Sequence, residues 1–119
     1  MKTLRSKVPF LDTVQYVRRI YLVPREVLQE YWGRNACGLV QQCSCKELSE
    51  RNWFIFAAVD LSHEERLITI VHELLHVWFF RQGIETDQHD EELFDRMARD
   101  LVKGYPRFMR RVYLTLVTV

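Results

Sequence analysis

The pattern of hydrophobic and polar residues predicts strands in the first half of the chain. WFIFAAVD, at 53–60, is aromatic and β-branched and is bounded by Asn52 and Asp60, which predicts a strand. ACGLVQQCSC, at 36–45, also predicts a strand. TVQYVRRIYLV, at 13–23, fits either a strand or a helix.

Helix signals mark the ends of two further segments. A short helix is predicted to begin at Pro24, with Glu26 near its positive end and Gly33 as its stop. A longer helix is predicted over 63–81. Ser62 and the glutamate three residues later have the spacing of a capping box, just before an apolar run.

The second half of the chain carries one more clear helical pattern. Apolar residues recur at 93, 94, 97, 98, 101 and 102, which predicts a helix over 91–104 that stops at Gly104. IETDQHD, at 84–90, is predicted to be a loop. The Val/Thr/Leu-rich end of the chain suggests a terminal strand, with a helix over 106–114 as the alternative.

Length and composition narrow the class of protein. A chain of 119 residues suits one domain, residues 1–119, and 48% hydrophobic with 28% charged residues is typical of a soluble globular protein. A net charge of +1 argues against broad electrostatic binding to nucleic acid or to an anionic membrane. No apolar run suits a signal peptide or a membrane span, so we expect a cytoplasmic protein.

The three cysteines are not a secreted disulfide framework, because their number is odd. Cys37, Cys43 and Cys45 are separated by even numbers of residues and would share one face of a strand. We interpret them as small apolar residues on a buried face. A structural or redox role is the alternative.

The clearest chemical signal is HELLH, at 72–76. His72 and His76 are one helical turn apart on one face, so a nitrogen of each can meet one metal ion at about 2.0–2.1 Å. Glu73 is rotated away from that ion but can reach a water on it, which is the His-Glu-x-x-His arrangement of zinc hydrolases. Burying these groups among apolar residues costs free energy unless they are paired, and a metal is the simplest compensation.

A catalytic zinc site needs a third protein ligand. The downstream candidates are His89, Asp90, Glu91, Glu92 and Asp95. At 100° per residue, Glu91 lies on the flank of the apolar stripe of its helix, whereas Glu92 points to solvent. We therefore favour Glu91, with Glu92 and His89 as alternatives. Asp95 lies one turn further and is predicted to accept a hydrogen bond from the far nitrogen of a metal-bound histidine.

HELLH, separated by fourteen residues from EELFD, resembles the gluzincin metallopeptidases, whose third ligand is a glutamate on a following helix. Thermolysin-like enzymes also carry an aspartate four residues after that glutamate. The pattern is most similar to minimal gluzincins of phages and mobile elements and covers 36–103. Zincins with a third histidine would use His89 instead.

The resemblance implies an α+β, zincin-like fold, with a short β-sheet packed on the HExxH helix and a following glutamate-bearing helix. It implies a zinc metallopeptidase that acts on a peptide or protein, with Zn²⁺ held by His72, His76 and Glu91. Glu73 would be the general base. The strand at 53–60 would offer an edge to an extended peptide.

Four residues are candidate donors to the oxyanion, and sequence does not choose among His89, Arg96, Tyr105 and Tyr113. Two other functions compete with the peptidase. One is a zincin-fold protein that keeps zinc and acts as a binding or regulatory protein without proteolysis. The other is a small helix-and-strand module without metal.

Overall fold

A computed structural model of the protein describes residues 13, 16–33, 37–42, 52–85, 90–107, 109 and 110. It shows a small α+β arrangement of a three-stranded sheet and three helices within these residues. In chain order the elements are β1 (Val17–Val23), α1 (Arg25–Trp32), β2 (Gly38–Gln42), β3 (Trp53–Ala58), α2 (His63–Arg81) and α3 (Glu91–Gly104).

The sheet has the order β1-β3-β2, with β3 parallel to β1 and antiparallel to β2. The prediction that the strand at 53–60 is an exposed edge is therefore wrong, because β3 is paired on both sides. Its apolar composition reflects this central position. The strand at the edge beside α2 is β2, which contacts that helix directly.

The ambiguous segment at 13–23 contains a strand. Val17 and Ile20 are buried, while Arg18 and Arg19 between them are both exposed. The register with β3 shifts between Val17 and Arg19, as at a β-bulge. This extra residue gives the segment a spacing of three between its buried positions, which is why its pattern also fitted a helix.

Helix α2 lies between the sheet and α3. It packs against β2 and β3 on one side and against α3 on the other. Nine of its residues are buried: Leu67, Ile68, Ile70, Val71, Glu73, Leu74, Leu75, His76 and Val77. Four of the five residues of HELLH, 73–76, are thus inside the protein, and the sheet and α3 hold the helix that carries them in place.

The helix bounds agree with the sequence patterns. The predicted helices over 63–81 and 91–104 are confirmed, and α1 occupies Arg25–Trp32 with Gly33 after it at a φ of 111°, a value that favours glycine. The Oγ of Ser62 accepts a hydrogen bond from the backbone N–H of Glu65 at 3.2 Å. Only this half of the capping box forms, because the Glu65 carboxylate pairs with Arg99 on α3.

Several sequence predictions fall outside the described residues. These concern Cys43, Cys45, His89, Tyr113 and the strand predicted at the Val/Thr/Leu-rich end of the chain. Residues 106, 107, 109 and 110 have helical backbone, in keeping with the alternative helix after α3. None of the helices in the described part of the chain combines the length and the apolar character needed to cross a membrane.

Candidate metal centre

The two histidines of α2 converge on one point. Their rings are 5.1 Å apart between centroids, and the Nε2 atoms of His72 and His76 are 3.3 Å apart. Phe94 of α3 packs edge-on against both rings, with its centroid 4.8 Å from that of His76 and 6.1 Å from that of His72. Because Phe94 is fully buried, it holds the imidazoles in a fixed orientation.

Glu91, the first residue of α3, reaches both imidazoles with one carboxylate. Its Oε2 lies 2.7 Å from Nε2 of His72, and its Oε1 lies 2.8 Å from Nε2 of His76. Although burial alone would raise the pKa of this carboxyl, the neighbouring His76 and His72 lower it below its usual range. The residue that sequence geometry favours therefore lies against the histidine pair, whereas Glu92 does not line the cleft.

Glu73 is the buried carboxyl of the site, with 7% of its surface exposed. Burial, together with the negative charge of Glu91, raises its pKa from 4.5 to about 8. The β2 backbone lies close by, since a Cβ atom added at Gly38 would be 3.4 Å from Cγ of Glu73. The side chain is thus held between α2 and the edge strand, beside the imidazole pair.

The donor groups suit a metal ion. His72, Glu73 and His76 each offer a ligand atom, and these atoms lie within 4.8 Å of one another. Two nitrogens that bind one tetrahedral zinc ion are about 3.3 Å apart, which matches the observed 3.3 Å between the Nε2 atoms. The same geometry requires the Glu91 oxygens to lie about 0.5 Å further from the histidine nitrogens than the observed 2.7 and 2.8 Å. A small movement of an exposed side chain is sufficient.

An open cleft of about 660 Å³ leads to these groups. β2 forms one wall with Gly38, Leu39 and Val40, beside Cys37 just before it, and residues of α2 and α3 form the rest. Phe80 lines the cleft, and so do the charged residues Glu65, Asp95 and Arg99. The cleft gives an extended ligand access to the histidine pair between the edge strand and α3.

Asp95 has a different partner from the one predicted. Its Oδ2 accepts a hydrogen bond of 2.8 Å from Nε of Arg99, and within the described residues it makes no bond to either histidine. The prediction that Asp95 orients a histidine is wrong for this structure, because Arg99, one turn further on α3, lies nearer to its carboxylate. Asp95 still lines the cleft.

Sequence reasoning missed Arg99 and Gly38. Arg99 lies two turns after Glu91 on the same side of α3, so the spacing of 91, 95 and 99 was the available signal. Gly38 had no local signal, because its importance depends on how closely β2 approaches α2. Of the candidate oxyanion donors, Arg96 and Tyr105 do not line the cleft, and the other two lie outside the described residues.

The half-buried Cys37 precedes β2 at the same cleft, with its Sγ 3.6 Å from Nη1 of Arg25. Arg25 is also paired with Asp60, at 3.0 Å. This contact connects α1, β2 and the turn before α2 at one point. Cys37 was predicted to be buried on a strand face. It is instead half-buried and lies just before the strand.

Comparison with known proteins adds no relative: no family model, no curated protein and no solved structure matches this chain.

We predict that Gly38→Ala destabilises the protein by about 1–3 kcal/mol through overpacking. The new Cβ would lie 2.5 Å from Cγ2 of Thr69 and 3.2 Å from the backbone oxygen of Phe56. Adding Thr69→Ser to Gly38→Ala removes that Cγ2 methyl and should recover part of the lost stability. Gly104→Ala is the control, since an added Cβ meets nothing within 4 Å there. Denaturant unfolding measures all three, and equal stability of Gly38→Ala and Gly104→Ala would contradict the packing argument.

We also predict a pH dependence from Glu73 in protein freed of metal by a chelator. Since its pKa is raised from 4.5 to about 8, the folded protein keeps a proton that the unfolded chain releases between these values. The free energy of unfolding therefore falls as pH rises, by at most about 1.4 kcal/mol per pH unit.

Glu73→Gln should remove this contribution, so its stability relative to the wild type rises from about pH 4.5 to about pH 8 and then levels off. Glu92→Gln, at an exposed site, is the control and should give a curve parallel to the wild type. Parallel curves for both variants would show that Glu73 has an ordinary pKa.

Proposed function

We propose that the protein is a zinc-dependent metallopeptidase with a zincin-like fold of the minimal gluzincin type. His72, His76 and Glu91 would hold Zn²⁺, and Glu73 would be the general base. The observation that carries the proposal is the contact of one carboxylate with two imidazoles, at 2.7 and 2.8 Å, beside a buried glutamate in an open cleft.

The donor set favours zinc over the hard cations. Two imidazoles and a carboxylate suit Zn²⁺, whereas Mg²⁺ and Ca²⁺ prefer oxygen ligands throughout. Three protein ligands leave one coordination position for water or substrate, which is typical of catalytic rather than structural zinc. The open cleft also supports a catalytic site, because structural zinc sites are closed to solvent.

Zinc bound there would supply Lewis acidity, which polarises a scissile carbonyl and lowers the pKa of water toward 7. Glu73 would take a proton from the attacking water and deliver it to the leaving amine. A carboxyl whose pKa lies near neutrality suits both steps, and burial already brings Glu73 into this range. A nearby cation favours the ionised form that accepts the first proton.

The edge strand β2 is the element best placed to bind an extended peptide. It pairs with β3 on one side, and in the described part of the chain no strand pairs with its other side. Main-chain hydrogen bonds to such an edge align a peptide without a requirement for particular side chains. Residues 38–40 of β2 line the cleft, so a peptide added there would pass over the histidine pair.

Glu73→Gln tests hydrolysis. We expect the purified wild-type protein to bind one equivalent of zinc and to cleave denatured casein or a mixed library of fluorescence-quenched peptides. The variant should keep its zinc and lose at least about 100-fold in rate, since it cannot accept the proton. Full zinc occupancy with no cleavage by the wild type would instead favour a zinc-binding regulatory protein. Less than a tenth of an equivalent of zinc would exclude both functions.

Glu91→Ala tests the third ligand. We expect its dissociation constant for zinc to rise at least about 100-fold, because even groups that only orient a ligand contribute 10- to 100-fold. Glu92→Ala is the matched control, as it removes the adjacent exposed carboxylate and should leave the constant unchanged. Competition with a chromogenic chelator measures both. If His89→Ala weakens zinc binding and Glu91→Ala does not, the third ligand is His89.

A further inference from the structure

Arg99 joins α3 to the first turn of α2. Its Nη1 and Nη2 donate to the two oxygens of Glu65 at 3.0 and 3.3 Å, and its Nε donates to Asp95 at 2.8 Å. We call these three residues the Arg99 clamp. Both carboxylates raise the pKa of Arg99 above its ordinary value, so the charge that makes the pairs is always present.

The clamp and the contact of Glu91 with the histidines both connect α3 to α2 along the cleft. At one end Glu91 contacts His72 and His76, and at the other Arg99 contacts Glu65. The pairing shows that the helices are antiparallel, since higher numbers on α3 meet lower numbers on α2. Glu91, Asp95 and Arg99 follow one another at intervals of one turn.

Apolar contacts are non-directional, so they fix the rotation of α3 less sharply than polar contacts do. Its buried residues are Phe94, Ala98 and Val102, and Met97 and Leu101 pack against the core while partly buried. A rotation of about 10° moves a group about 6 Å from the helix axis by about 1 Å. Glu91 would then lose at least one of its two contacts, because a single carboxylate must reach both imidazoles.

We propose that Arg99 is a positioning residue of the metal centre: the clamp sets the rotation and the axial position of α3 so that Glu91 meets both histidines. This inference rests on the proposed metal site. The planar guanidinium suits the role, since it donates in fixed directions to carboxylates on two helices at once. Its two carboxylate partners also balance its charge, so the clamp does not repel a cation bound nearby.

The test compares Arg99→Gln with Arg96→Gln, which removes an exposed arginine of the same helix. We expect Arg99→Gln to raise the zinc dissociation constant about three- to tenfold, because its ion pairs are half-exposed and such pairs contribute little. Arg99→Lys keeps the charge but not the planar guanidinium, so its zinc dissociation constant should lie between those of Arg99→Gln and the wild type. Equal constants for Arg99→Gln and Arg96→Gln would overturn the proposal.

Two measurements distinguish positioning from general stability. The visible absorption spectrum of the cobalt-substituted protein should change in Arg99→Gln, because the coordination geometry changes, and should not change in Arg96→Gln. Adding Glu65→Gln to Arg99→Gln should weaken zinc binding no further, since both act through one contact. Additive effects with an unchanged cobalt spectrum would show a merely structural role.

A metal-free measurement separates this proposal from the proposed function. Without zinc, Arg99→Gln should speed amide hydrogen exchange at Phe94 and Asp95, in the first turns of α3, about three- to tenfold relative to Arg96→Gln. Failure of the wild type to bind zinc would refute the metallopeptidase while leaving this result to decide whether the clamp positions α3. Unchanged exchange would refute the clamp even if zinc binds.

Discussion

The contact of the Glu91 carboxylate with the imidazoles of His72 and His76 is the interaction on which the account depends. It joins two helices whose contacting residues are 15 and 19 positions apart, at distances of 2.7 and 2.8 Å. Without it, α2 would present two histidines one turn apart, which supply only two of the three protein ligands that a catalytic zinc site needs. With it, three donor groups of the kind zinc prefers meet at one point.

The position of α2 between the sheet and α3 explains the chemistry of its polar residues. The sheet side places Glu73 against β2 and buries it, and this burial raises its pKa to about 8. The α3 side supplies Phe94, which packs against both imidazoles, and Glu91, which pairs with them. Polar groups buried in this way cost stability, as is usual where a site needs perturbed pKa values.

Much of the site was predictable because its signals are local. The bounds of α2 and α3 follow from apolar periodicity and from capping residues such as Ser62, and the histidine spacing defines one helix face. The orientation of Glu91 followed from helical geometry within α3. Each of these inferences needs only residues within a few turns of one another.

The features that sequence did not predict depend on how distant segments pack. The central position of β3 is set by its pairing with both β1 and β2, which no local pattern specifies. Glu65 was expected to complete a capping box but pairs with Arg99, 34 residues away. Gly38 matters only because β2 closely approaches Thr69 and Glu73. Such contacts are decided by tertiary structure, so propensity and spacing do not reveal them.

X-ray absorption spectroscopy at the zinc edge is the most direct test of the central claim. On protein loaded with one equivalent of zinc, we expect two imidazole nitrogens and a protein carboxylate oxygen at about 2.0–2.2 Å. The imidazole signal should fall by half in His72→Ala. A sulfur ligand at about 2.3 Å, or an unchanged spectrum in His72→Ala, would contradict the account.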